Sequence, residues 1–343
     1  MKDNIADIRV FGVGGGGCNA LNRMIDDKLE GVSFFAVNTD AQDLRCSNAK
    51  NKIAIGSLGA GADPKTGKRG AVEHAREIQQ ALKGADMVYL TAGMGGGTGT
   101  GATPVIAKIA KEMGILTIAI VTTPFVFEGS KRDSQARQGI KELENFVDSL
   151  IVVSNERLLQ SSPNMSIKDG FAYADEVLKK GVKSIIDIVQ STALINLDFA
   201  DVKAIMSNAG KTMIGIGEGK GENKAEEAAK NAINSPLLET SPKGASKAII
   251  NVTGGKNISI QDANKAIQYI NQETESELDT IFGISVSDEI KDDSMVVTII
   301  LTGLNAIANG PTIKPEKNEH SQKTDYAEIL DEELFSFAKP HNK

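Results

Sequence analysis

Cysteine and histidine are scarce. Cys18 and Cys46 are the only cysteines and three histidines are scattered along the chain, so neither a disulfide framework nor a zinc site can be assembled from recognised spacings. No protein-held metal is expected, and a reducing, cytoplasmic setting fits this usage. A basic excess is missing too. Thirty-eight Lys and Arg stand against 45 Asp and Glu, a net charge of −7, which argues against nucleic acid as the main partner. Long apolar runs are lacking: 296–301 is far too short to span a bilayer, and the first seven residues mix charges without an apolar h-region. The chain is expected to be neither secreted nor inserted in a membrane. What is present is an ordinary globular composition, 41% hydrophobic over 343 residues, enough for the cores of about two domains.

Strand-like runs at 8–13, 34–37, 53–55, 87–91, 116–121 and 150–153 alternate with helical stretches. This predicts an α/β fold with a parallel, doubly wound sheet. A ligand on such a sheet lies outside the carboxyl ends of the strands, where two glycine-rich loops of this chain fall. From 166 to 190 a long helix carries Phe171, Leu178 and Ile185 seven residues apart, with Val182 and Val189 on the neighbouring line; it would span about 36 Å. Strand-like runs at 213–216, 248–252, 281–286 and 295–301 then enclose helices near 224–234 and 260–274. The expected division is a nucleotide-binding domain at 1–165, a connecting helix at 166–192, a smaller α/β domain at 193–304, and a linker with a short tail at 305–343.

The loop Gly95-Gly96-Gly97-Thr98-Gly99-Thr100-Gly101 follows an apolar run and opens a helix bearing Ile106, Ile109, Ala110 and Met113 at helical spacing. Glycines let backbone N–H groups close around an anion, a helix N-terminus adds partial positive charge, and Thr98 and Thr100 offer hydroxyls. Pro104 near the first turn and Gly114 past the last set the helix limits. The first loop, Gly12 to Asn19, formally satisfies G-x-G-x-x-G, and Asp40 ends the second strand where a ribose-binding acid would fall. That favours a nicotinamide oxidoreductase. Against it, such a fold needs one glycine loop, whereas this chain has two, plus a third small-residue turn at Leu58-Gly59-Ala60-Gly61-Ala62, which suits a longer polyphosphate. At 62–69, Ala62 and Arg69 replace the first glycine and the hydroxyl residue of a P-loop, so that motif is rejected.

Phe171 and Asp175 lie one turn apart on the long helix, and Asp175 occupies a line that Val182 and Val189 continue as apolar. An acid there needs a partner. With Phe171 to stack and Asp175 accepting two N–H donors of the base, guanine would be read over adenine; a carboxylate at the stripe's edge remains equally open. Asp198 and Asp201 begin a helix through Val202, Ile205 and Met206. They read either as an N-cap with a first-turn acid or as a pair orienting a water, and pattern alone does not decide.

Taken together, GGGGCNA at 14–20, AVNTDAQ at 36–42, GAGADP at 59–64, AGMGGGTGTGATP at 92–104 and NLDFADV at 196–202 closely resemble the bacterial tubulin-like cell-division GTPase family, FtsZ, over roughly 8–303. The resemblance implies that Gly15, Gly16, Gly17, Cys18 and Asn19, with Gly97, Thr98 and Gly99, hold the phosphates of GTP or GDP. Glu128 and Arg132 look like the ribose and phosphate contacts, and Asn155, Phe171 and Asp175 like the guanine pocket. Asn196, Asp198 and Asp201 are similar to the catalytic loop that one subunit inserts into the nucleotide site of the next. A head-to-tail homopolymer, Mg²⁺ carried with the nucleotide, and a cytoplasmic place at the division site are implied with it.

Three features depart from the family pattern. The segment around Ser57 is a few residues short, and Ala193 stands where glycine is usual; both bear on affinity or turnover and leave a GTP-holding polymer with little or no hydrolysis as the second reading. The third is the tail. Residues 305–324 read as a polar linker, after which Tyr326, Ile329, Leu330, Leu334 and Phe337 line one helical face backed by Glu328, Asp331, Glu332 and Glu333. It lacks the proline and basic end of the family's C-terminal peptide. Its acids would be repelled by anionic lipid, so a division-protein groove and a solvated tail both stay open.

Overall fold

The computed structural model describes residues 6–160, 165–190, 197–235, 238, 244–274, 278–287 and 290–304. The tail helix expected between Tyr326 and Phe337 lies outside these residues, as do Ala193 and Asn196.

In chain order the first part runs β1 (Ile8–Val13), α1 (Gly14–Asp26), β2 (Val32–Asn38), α2 (Ala41–Cys46), β3 (Asn51–Ala54), α3 (Pro64–Glu73), α4 (Ala75–Leu82), β4 (Met87–Gly93), α5 (Thr98–Glu112), β5 (Leu116–Thr123), α6 (Ser130–Glu144), β6 (Ser149–Ser154) and α7 (Asn155–Gln160). The strut α8 (Ile167–Gln190) leads to α9 (Phe199–Met206) and β7 (Gly210–Lys211). The remainder is β8 (Met213–Lys220), α10 (Lys224–Ile233), β9 (Lys247–Gly254), α11 (Ile260–Thr274), β10 (Asp279–Val286) and β11 (Ser294–Thr302).

The larger sheet has the order β3-β2-β1-β4-β5-β6-β7 and every pairing in it is parallel. Its near-continuous apolar strands, buried throughout in β4 and β5, are what a sheet covered on both faces requires. The order reverses between β1 and β4. Their register pairs Gly12 with Thr91 and Val13 with Ala92, so both strands end level and their loops emerge side by side. That is the crevice where a doubly wound sheet takes a ligand. The smaller sheet, β10-β9-β11-β8, is mixed: β10 and β9 run parallel, while β11 is antiparallel to both neighbours.

Of the apolar stripe of α8, Leu178, Val182 and Ile185 are buried as the periodicity predicts, while Val189 is partly buried and Phe171 is 41% exposed. Leu178, Val182, Ile185 and Ile186 share one core with Leu21 and Met24 of α1, Ile118 and Ile120 of β5, and Ile214, Ile249 and Ile300 of the smaller sheet. One helix thus seals two sheets.

One expectation needs correction. Helix α5 begins at Thr98, so Pro104 lies in its second turn and not near its first. Glycine and threonine are poor helix formers, but packing overrides propensity: a Cβ on Gly101 would overlap the Pro64 carbonyl of α3, and one on Gly99 would stand 2.6 Å from the Gly93 carbonyl. The glycines draw the helix onto its neighbours. Gly114, at φ +73°, ends the helix as expected.

Candidate functional site

Both α1 and α5 start without a side-chain hydrogen bond to their first turns. Their leading N–H groups and the positive ends of their dipoles therefore face the β1/β4 crevice, the arrangement that attracts an anion. A Cβ on Gly14 would meet Gly99 N at 2.9 Å, so the two loops touch.

The glycines divide into two kinds. Gly12 and Gly17 are packing glycines, since a Cβ on Gly12 would come within 2.6 Å of the Gly17 carbonyl and one on Gly17 would overlap that of Thr91. Gly15 and Gly16 are exposed, as is Asn19, and Gly96 faces open space. These are the places where a ligand's phosphates could approach backbone. Cys18 is different in kind: its buried thiol points to the Gly12 carbonyl at 3.4 Å, and burial pushes it up to about 12, so the side chain stays neutral and engaged with the protein.

The threonine hydroxyls expected at the phosphates are held by the protein. Thr98 Oγ1 lies 2.6 Å from Thr39 Oγ1, and Thr100 Oγ1 accepts from Gly95 N at 2.8 Å, which shapes the loop. Asp40 Oδ1 accepts from Gln42 N and Asp43 N as the N-cap of α2, a role that accounts for this acid without a ribose.

The third turn adjoins the second loop through Ala60, whose Cβ stands in the path of any side chain at Gly97. Despite its short lead-in, it is tied to the end of β2 by Gly59 N donating to Thr39 O at 3.0 Å. Gln135 Nε2 of α6 donates to Ala62 O at 3.2 Å, steadying a non-glycine residue held at φ +60°. Lys68, from the rejected P-loop, pairs with Glu142 at 2.7 Å.

On the other side of the crevice Arg132 pairs with Glu128 across the first turn of α6, and Glu128 Oε1 accepts from Phe125 N at 2.9 Å. Phe125, Phe127 and Phe171 form an aromatic group: Phe125 stacks on Phe127 at 5.2 Å and meets Phe171 edge-on at 5.0 Å. Phe171 is 41% exposed, so part of its ring is available. Asp175 has the partner its position demanded, Arg23 of α1 at 3.3 Å. Desolvation by burial raises Asp175 to about 6, with Arg23 pulling the other way. Asn155 is buried at the start of α7 and its Oδ1 has no hydrogen-bond partner. An orphaned buried acceptor is costly, and a base bearing ring or amino N–H donors is the kind of group that would satisfy it.

Asp198 and Asp201 form a reciprocal capping box. Asp198 Oδ1 accepts from Asp201 N at 2.8 Å, and Asp201 Oδ2 accepts from Asp198 N at 3.1 Å. The end of α9 is anchored to the start of β6, where Ser149 Oγ donates to Met206 O at 2.7 Å, and the loops sit beyond the opposite ends of the strands. Within one copy, these acids cap a helix whose last turn meets the start of β6.

Arg23, Thr39 and Gln135 escaped the sequence reading because each acts on a partner distant in the chain, 152 residues away for Arg23 and 59 for Thr39. Among the described residues no group of three or more His, Cys, Asp or Glu could hold a metal ion, and no helix is long and apolar enough to cross a membrane.

A parallel sheet with paired glycine loops at its switch point, sealed by a buried helix to a smaller mixed sheet, defines the tubulin class of nucleotide-binding folds. The Tubulin/FtsZ family, GTPase domain, matches residues 7–163, and the FtsZ family, C-terminal domain, matches 210–305. An empty FtsZ dimer from M. jannaschii is similar at 39% identity and a TM-score of 0.83, over 91% of this chain and 95% of that one. A mutant of M. jannaschii FtsZ is similar at 41% identity and 0.83, over 88% and 92%. CetZ2 from Haloferax volcanii, in a GTPγS-bound protofilament, shares the fold at 18% identity and 0.74, over 97% and 100%. The chain belongs to the FtsZ family, whose members are GTP-binding, polymerising cytoskeletal proteins. The match is to the family as a whole and does not single out its bacterial branch.

Proposed function

We propose that this chain is a bacterial-type cell-division GTPase that hydrolyses GTP at the junction between copies stacked head to tail. Residues 1–165 form the nucleotide side. Gly15, Gly16, Gly17, Cys18, Asn19, Gly97, Thr98 and Gly99 hold the phosphates, Glu128 and Arg132 contact the ribose and phosphate, and Asn155, Phe171 and Asp175 receive the guanine. Residues 193–304 form the opposite side, presenting Asn196, Asp198 and Asp201 to the next copy. There the two carboxylates orient and polarise the attacking water, while glycine-loop amides stabilise charge on the transferring phosphoryl group. Mg²⁺ carried on the triphosphate would supply neutralisation of phosphate charge. Hydrolysis then loosens the junction, and the filament turns over at the division site in the cytoplasm, with the tail engaging a division-protein partner.

The observation that carries this reading is the placement of α9. The acids cap this helix, whose last turn meets the start of β6, whereas the open glycines follow the carboxyl ends of β1 and β4; on this reading neither half-site is complete alone. Exposed apolar residues support the contact: Leu58 and Phe127 near the loops, and Phe282 next to Gly283, whose missing Cβ leaves room for Leu197 beside Asp198. A contact of this heterologous kind propagates openly. The test is phosphate release against protein concentration. Specific activity should rise steeply as copies associate. Turnover strictly proportional to protein down to dilute monomer would defeat the shared site, and GTP binding without release at any concentration would favour the non-hydrolysing polymer.

A further inference from the structure

Helix α1, which opens from the first glycine loop, lies against the strut α8, and two ion pairs one turn apart fasten them. Arg23 Nε stands 3.3 Å from Asp175 Oδ2. Four residues on in each helix, Asp27 meets Lys179, which also holds Glu176 at 2.6 Å. The order of charge reverses between the rungs, so the second rung closes on itself and Arg23 is the cation facing Asp175. Other charged groups on neighbouring elements are engaged elsewhere. Asp26 of α1 accepts from Asn48 at 2.9 Å; on α7, Glu156 accepts from Val126 N and Arg157 donates to Leu238 O. Strand β5, packed on α8, carries no ionisable side chain.

We propose that Arg23 is a positioning residue of the base site, keeping Asp175 ionised for guanine and thereby setting the lower pH limit of nucleotide binding. This rests on the reading of Asp175 as the acceptor of two guanine N–H donors. An ionised carboxylate has about four lone-pair sites, so one N–H from Arg23 leaves capacity for both base donors. A protonated carboxyl turns one acceptor into a donor and opposes one of them. Burial already raises Asp175 to about 6 against the pull of Arg23. Removing an opposite charge at this range is worth about 1–3 pH units, which carries the transition into the neutral range.

The test is GDP affinity of the full chain, measured by calorimetry between about pH 5.5 and 8.5; GDP avoids turnover during the titration. The wild-type chain should lose affinity as pH falls through about 6. Arg23→Gln should move that midpoint up by about one pH unit or more, with affinity at the alkaline end within about threefold of wild type. Arg23→Lys should restore the midpoint, and Asp27→Asn, which opens only the second rung, should leave it in place. An Arg23→Gln affinity reduced by one factor at every pH, or an unmoved midpoint, overturns the proposal. Asp175→Asn separates the two levels. If GDP-over-ADP preference survives in that variant, the base-site reading falls and the role of Arg23 with it; if preference is lost while the Arg23→Gln midpoint stays put, only the role of Arg23 falls.

Discussion

Asp175→Asn should make the nucleotide-free chain more stable while making it a poorer nucleotide binder. Desolvation, partly offset by Arg23, holds the Asp175 carboxyl at about 6 instead of 3.8. A difference of roughly two units corresponds to about 3 kcal/mol by which the ionised form disfavours the native state. The sign follows from proton binding. With its folded value above its unfolded one, the native chain binds more protons between them, so the wild type gains stability as pH falls through about 6 towards 4. Asparagine has the shape of the neutral acid and carries no charge at any pH. Its advantage should therefore be full at about pH 8, near half at about pH 5 and gone below about pH 3.5. Arg23, whose side chain is 42% exposed, stays hydrated when its partner is neutralised, which limits the opposing loss. A net gain of about 1–3 kcal/mol at pH 8 raises the thermal midpoint by roughly 1–4 °C for a chain of this size. Loss of a charged acceptor should weaken GTP binding by about 10–100-fold. Thermal unfolding of nucleotide-stripped protein across pH, with calorimetric GTP binding beside it, reads both. A midpoint that falls at pH 8, or a gain that persists undiminished at pH 5, would refute the assignment of a buried, desolvated carboxylate.

Asp201→Ala should leave GTP affinity within about twofold and abolish most phosphate release at polymerising concentration, because in its own copy that carboxylate serves only the helix cap. Loss of its half of the capping box should cost about 1 kcal/mol in unfolding; a fall in GTP affinity matching the fall in rate would place it in its own copy's pocket. The two kinds of glycine separate in the same assays. Gly101→Ala drives a Cβ into the Pro64 carbonyl and should destabilise by about 3 kcal/mol or more, whereas Gly96→Ala, facing open space, should unfold within about 0.5 kcal/mol of wild type and lose nucleotide affinity. Equal unfolding midpoints for the two would contradict the distinction.

Much of this molecule was legible in short-range pattern. Apolar runs announced the strands of both sheets except the two-residue β7, and the recurrence of Leu178, Val182 and Ile185 announced the strut, because burying one face of a regular element leaves its period in the sequence. The glycine loops declared an anion site through the absence of side chains. Tertiary structure alone decided how those loops are used. Which glycines cradle and which merely pack depends on backbone brought from elsewhere: Thr91 against Gly17, Pro64 against Gly101. The crevice exists because β1 and β4 lie side by side and end level, and strand order leaves no trace in local composition. Asp175 and Arg23 are 152 residues apart, so the charge that governs the acid is invisible to any window along the chain. Asp198 and Asp201 carry the plainest lesson. Their pattern is that of a helix cap and they do form one; that the helix they cap ends against the start of β6, and not beside the phosphate loops, only the packed chain determines.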